Sequence, residues 1–210
     1  MTRISFYLTI LLYGASTLLY LAALLKSGPL LQILSRRVLI AGFLAHSLST
    51  IHRFSAAGHL PVTNMHESLS FFALAIVIAL LLFDYRYKAS SLGAFIMPVV
   101  MLMIAASSMF TAELKPLNPA LKSLWIYSHT ILAFGAYACF TIAGGTAIMY
   151  LMQTRFLKTK HLGPMFRKLP SLDVLDDIGY RCLTFGFPML TVAIITGAIW
   201  ASKAWGSYWS

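Results

Sequence analysis

The stretch that decides the fold is Leu183-Thr-Phe-Gly-Phe-Pro-Met-Leu-Thr-Val-Ala-Ile-Ile-Thr-Gly197-Ala-Ile-Trp200-Ala-Ser-Lys-Ala-Trp205-Gly-Ser-Tyr208-Trp209-Ser210. An apolar run, Leu183 to Ile199, leads directly into three of the four tryptophans of the chain. Tryptophan suits the border between lipid and water, because its ring is apolar and its indole N–H seeks a partner. The plain reading is an aromatic belt at one face of a membrane. The sharper reading is a platform of flat rings for a flat ligand.

Composition sets the class. Of 210 residues, 59% are hydrophobic and 10% charged, against about 25% charged in soluble domains. Several runs approach the roughly 20 apolar residues needed to cross a bilayer. Lipid offers no partner for an open strand edge, so helices are expected. The chain reads as one all-α, polytopic membrane domain over residues 1–210. Six apolar segments are expected at about Ser5–Leu25, Val38–Phe54, Leu69–Phe83, Leu92–Phe110, Leu124–Met152 and Arg181–Ala201. A short amphipathic helix at about 171–179 is expected on the inner surface, with Leu172, Leu175 and Ile178 on one face and Ser171 as its cap. The first apolar run is longer than a signal-peptide core and is read as a retained helix.

The net charge of +10 would suggest nucleic acid in a soluble protein. Here the cations sit in short connections, so topology accounts for them and no nucleic-acid partner is expected. Connections on one side hold Lys26, Arg36, Arg37, Arg86, Lys88, Arg155, Lys158, Lys160, Arg167, Lys168 and Arg181, eleven in all; the other side holds five, Arg3, Arg53, Lys115, Lys122 and Lys203. Positive charge favours the cytoplasmic side. Both termini are therefore expected on the periplasmic face of a bacterial inner membrane, or its thylakoid equivalent, together with the tryptophan-rich end.

Little of the usual catalytic vocabulary is present. The sequence has no phosphate-cradling Gly-rich loop with lysine, no H-E-x-x-H and no nucleophile elbow. The two cysteines, Cys139 and Cys182, lie in apolar runs without a C-x-x-C or C-x-x-C-H, and read as packing residues. No acidic residue sits centrally in an apolar segment, which weakens the reading as a small-solute transporter. Asn64 and Glu67 have the spacing of a helix-capping pair.

Histidines carry the chemistry. His46 lies well inside the second segment, where an ionisable group is costly; neutral imidazole bonded to a neighbouring helix and a functional role are equally open. His129 stands in Trp125-Ile-Tyr-Ser-His129, four residues after Trp125 and on the same helix face. By topology it shares a border with Trp200, Trp205 and Trp209. An imidazole lone pair beside an apolar shelf is what an axial haem ligand requires.

Four stretches, Pro61-Val-Thr-Asn64-Met-His66-Glu67-Ser68-Leu-Ser-Phe71-Phe72, Trp125-Ile-Tyr-Ser-His129, Leu169-Pro170-Ser171-Leu-Asp-Val-Leu-Asp176 and Gly197-Ala-Ile-Trp200-Ala through Trp205-Gly-Ser-Tyr-Trp209, resemble the CcsA-type cytochrome c assembly proteins. The resemblance covers nearly the whole chain. It implies haem b, bound in transit at the outer face, with His129 as an axial ligand to iron. Trp200, Trp205, Tyr208 and Trp209 then match the start of a haem platform. From the residues themselves, Trp125, on the His129 face, and His46, which would hold haem in transit, are further candidate haem residues. It implies a CcsB/ResB-type membrane partner and an apocytochrome c whose Cys-x-x-Cys-His segment receives the haem. The chain would be at most part of a haem-attachment complex, not a stand-alone enzyme. The family's signature continues with a Trp-Asp-Pro-Lys-Glu-like run; Ser210 falls inside it, so the expectation is a chain truncated at its C-terminus. Two rivals remain open: a non-catalytic haem-binding regulatory or scaffold subunit, and a small-solute transporter.

Overall fold

The computed structural model describes residues 2–26, 28–113, 124–160 and 162–208. Among these residues the chain is all-helical: α1 (Thr2–Leu25), α2 (Pro29–Ala57), α3 (Met65–Tyr87), α4 (Leu92–Ser108), α5 (Leu124–Lys158), α6 (Pro164–Lys168) and α7 (Leu172–Trp205). It is a helical membrane bundle. Four helices, α1, α3, α5 and α7, are long and apolar enough to cross a membrane by length and composition, and α4 is a shorter apolar helix of 17 residues.

The helices pack as two groups. In the first, α1 lies against α2 and α4, and α3 against α4. Their shared core is built on Tyr13, Leu39, Ile76, Leu80, Met97 and Ile104, all essentially inaccessible. In the second, α5 and α7 form a hairpin joined to the first group mainly through α3. Phe72 stacks on Phe134 across that seam, with ring centroids 5.7 Å apart. Phe6, Arg53, His66 and Ser107 meet at one end of the bundle, and the α2–α3 connection places His129 and Gly197 at the same end by walling the cleft that His129 lines. Both described chain ends lie there, and it is called the terminal end below. The far end is fastened by Arg36–Asp84 at 3.2 Å, by Tyr87 donating to Asp177, and by the Lys168 ammonium donating to the Ala23 and Leu24 carbonyls.

Two expected boundaries are corrected. The second segment begins at Pro29, nine residues before Val38. Proline at the first helical position suits a helix start, because its missing N–H has no intrahelical partner to lose. The charged pair Arg36 and Arg37 does not end the helix, since Arg36 reaches the Asp84 carboxylate. The expected surface helix at 171–179 is not separate. It forms the first turns of α7, which runs unbroken for 34 residues, about 51 Å at ~1.5 Å per residue. Nothing at Gly179 or Tyr180 terminates the helix, and one face stays apolar throughout. Leu175 and Ile178 are buried in the core, while Asp173 and Asp176 face out. Ser171 holds the N-cap position with extended backbone, but its hydroxyl makes no capping bond. Asn64 does cap α3, accepting from the Glu67 N–H at 2.9 Å.

Candidate functional site

His129 enters from the start of α5, where the i, i+4 spacing sets it one turn beyond Trp125. Its Nδ1 lies 2.7 Å from the Ala193 carbonyl oxygen on α7. A carbonyl only accepts, so Nδ1 carries the proton and donates. The Nε2 of a neutral ring then keeps its lone pair, the arrangement by which a carbonyl fixes the tautomer of a metal-binding histidine.

Gly197 makes this contact possible. A β-carbon built on Gly197 would come within 2.7 Å of both Cε1 and Nδ1 of the His129 ring. The imidazole therefore lies over bare backbone and reaches the carbonyl one turn back. Any larger residue would push the ring away.

His129 lines a cleft of about 410 Å³, within the usual size range of small-molecule sites. Its walls are Leu60, Val62 and Thr63 from the α2–α3 connection, Tyr127, Phe134 and Tyr137 from α5, and Leu190 and Ile194 from α7. The lining is mostly apolar, with the hydroxyls of Ser68, Thr63 and Thr130 as polar points.

Trp125, Trp200 and Trp205 stand at the terminal end but are not among the described residues that wall this cleft. Trp200 follows Ala193 and Gly197 at helical spacing, so it occupies the stripe of α7 that meets α5. Its ring meets Trp205 edge-on, with centroids 4.8 Å apart. Trp205 is 57% exposed and Tyr208 61%. Trp125 is half-exposed, and the Lys203 ammonium sits 5.8 Å from its ring centre, a cation–π contact tying the last turn of α7 to the first of α5. The structure thus gathers Trp125, His129, Trp200 and Trp205 at one end, with the open faces of Trp205 and Tyr208 turned outward. Trp209 lies outside the described residues.

His46 is not brought to this cleft. It is fully enclosed between α1 and α3, with Nδ1 3.2 Å from the Tyr13 hydroxyl and Nε2 2.9 Å from the Ser70 hydroxyl. Both ring nitrogens are engaged. No group of three or more His, Cys, Asp or Glu side chains with metal-binding geometry occurs among the described residues.

Comparison with known proteins adds the decisive observation. The model of the family described as Cytochrome C assembly protein matches residues 62–210. The chain belongs to this cytochrome c assembly family. It is similar to the cytochrome c biogenesis protein CcsA of Guillardia theta, with 32% identity over 75% of this chain and 59% of that protein. It is also similar to CcsA of Microcystis aeruginosa, with 31% identity over 97% of this chain and 75% of that protein. The protein HemX of Brevibacillus brevis is 30% identical over 95% of this chain and 74% of its own length. The chain spans about three-fifths of the Guillardia relative.

In this member of the assembly family, the sequence reading missed two participants. One is Gly197, whose role depends on α5 crossing α7 at that height. The signal available was a glycine four residues after a small residue, on an otherwise bulky stripe. The other is the α2–α3 connection, which forms a wall of the cleft although it is remote from His129 in sequence.

Proposed function

We propose that this chain is a component of c-type cytochrome biogenesis that holds haem b at the non-cytoplasmic membrane face and presents it to apocytochrome c. The observation that carries the reading is the His129–Ala193 hydrogen bond over Gly197. It sets one tautomer and one ring orientation, leaving Nε2 free as an axial donor beside an apolar cleft. The haem would supply the vinyl groups to which the Cys-x-x-Cys-His thiols add. This chain's residues bind and orient: His129 donates its imidazole, Trp200 and Trp205 extend the apolar shelf, and the cleft lining excludes water. Holding two reactants in register removes much of the entropic barrier to their meeting. A CcsB/ResB-type membrane protein is the expected partner, with both termini on the periplasmic or lumenal side.

The test is the Soret band of protein purified from membranes of haem-replete cells. Wild type carries bound haem. His129→Ala is expected to lose or strongly shift the band, while His46→Ala leaves it. An unaltered band in His129→Ala removes this histidine from the ligand role.

A second reading keeps the same site without the attachment step: a haem-binding regulatory or scaffold subunit. The His129 geometry would hold haem equally well in either case. Gene deletion separates the two, because only the first reading requires holocytochrome c to fall.

A further inference from the structure

A second pocket opens at the terminal end, between α1, α2, α3 and the end of α4, with a volume of about 210 Å³. Its polar lining includes Arg53, Glu67, His66, Ser49, Thr50 and Ser70; Phe6 and Phe71 supply aromatic walls. Arg53 Nε donates to Glu67 Oε1 at 2.7 Å and Nη1 donates to the Ala112 carbonyl at 2.9 Å. Its Nη2 is buried and has no hydrogen-bond partner among the described residues. An unsatisfied charged donor in such a place costs more than an ordinary missing hydrogen bond, so an acceptor at this point would be stabilising.

Charge selects the kind of acceptor. Arg53 is already neutralised by Glu67, whose second oxygen accepts from the Thr63 N–H and hydroxyl, each at 2.8 Å. A phosphate or carboxylate would add an uncompensated negative charge beside Glu67, which a poorly solvated site disfavours. A neutral carbonyl would not. Behind the pocket, Ser70 bonds His46, which bonds Tyr13. In the tautomer where the Tyr13 hydroxyl donates to Nδ1, Nε2–H donates to Ser70 Oγ, and the Ser70 proton is left for a guest. Shape narrows the class further. The volume is below the roughly 300 Å³ at which sites for drug-sized ligands begin, so it admits one small ring, with any tail lying in lipid.

We infer that this pocket binds the ring headgroup of a membrane quinone, with Arg53 Nη2 and Ser70 donating to its carbonyl oxygens and Phe6 and Phe71 flanking the ring. Phe71 meets Phe134, a wall of the His129 cleft, with centroids 5.7 Å apart. The two sites are therefore neighbours divided by one pair of rings, and quinone binding requires no haem.

The experiment uses haem-free full-length chain in lipid nanodiscs, equilibrated with decyl-ubiquinone and, separately, menadione. The expected result is saturable binding at one site per chain. It weakens at least tenfold in Arg53→Lys, which keeps the charge but loses the fork, and in Ser70→Ala. It is unchanged in His129→Ala. Circular dichroism verifies that each variant is folded, and if Arg53→Lys is not, Ser70→Ala decides. Absence of saturable binding by wild type overturns the inference. So does equal affinity in the folded variants, or competition by phosphatidylglycerol as effective as by unlabelled quinone. Loss of the Soret signal in the earlier test leaves this measurement unaffected.

Discussion

Gly197 and His129 act as one unit. The glycine is useful because it lacks a side chain, and the imidazole occupies the space a β-carbon would take. Gly197→Ala should therefore displace the ring from the Ala193 carbonyl. Overpacking of this kind costs about 1–3 kcal/mol, read as a lower thermal midpoint in detergent. Haem occupancy should fall with it, whereas Gly144→Ala, whose β-carbon would meet nothing within 4 Å, should lower neither. His46 has a different character. Its two hydrogen bonds tie α1 to α3 through α2. His46→Ala leaves the buried Tyr13 hydroxyl without that partner and opens a void. The expected loss is about 2–4 kcal/mol from the unmade bond and the cavity together, measured by denaturant unfolding, with haem occupancy retained in the folded fraction.

At the scale of elements, the connection between α2 and α3 is held by a buried ion pair rather than by regular structure. Arg53 comes from the last turns of α2 and Glu67 from the first turn of α3, and Thr63 between them donates twice to the same carboxylate. Removing one partner of such a pair costs about 3–5 kcal/mol, because the other is left buried and unpaired. Glu67→Ala is expected to make residues 58–64 readily cleaved in limited proteolysis, and to disturb the His129 cleft that Leu60 and Val62 wall. Thr63→Val should produce a smaller effect of the same kind. The length of α7 is a second property of this scale. At about 51 Å against a hydrocarbon core of about 30 Å, the helix must project beyond lipid at one or both ends.

For the whole molecule, the proposed orientation makes a prediction that any single helix would not. Ser171 and Tyr208 flank α7 at opposite ends of the bundle. In intact cells, with the two native cysteines replaced by serine, Tyr208→Cys should react with a membrane-impermeant maleimide added outside. Ser171→Cys should react only after permeabilisation. The reverse pattern would place the His129 cleft on the cytoplasmic side and end the proposal of haem presentation to an exported apocytochrome. The packing of α5 and α7 as a hairpin on the α1–α4 group also explains why most of α7 outside its α5 contact is exposed, as at Leu183, Phe185 and Phe187. These side chains are apolar and face what the bilayer supplies.

Much of this was legible in the chain itself. Composition and apolar run length require helices in lipid, because backbone groups there have no solvent to bond. The distribution of Lys and Arg pairs the ends, and the Trp125–His129 interval sets both rings on one face of α5. The Asn64 cap could be read from the side chain alone, since its partner is three residues away. Contacts between distant segments could not be read in this way. That the surface stretch 171–179 continues into α7 depended on its apolar face finding Leu175 and Ile178 a place in the core. That His46 is enclosed by Tyr13 and Ser70, while His129 lies open over Gly197, depended on which helices cross and at what height. Local sequence specifies what each helix can offer, but the tautomer of His129 and the walls of its cleft come from groups dozens of residues away. Only the packed bundle brings those groups within hydrogen-bonding distance.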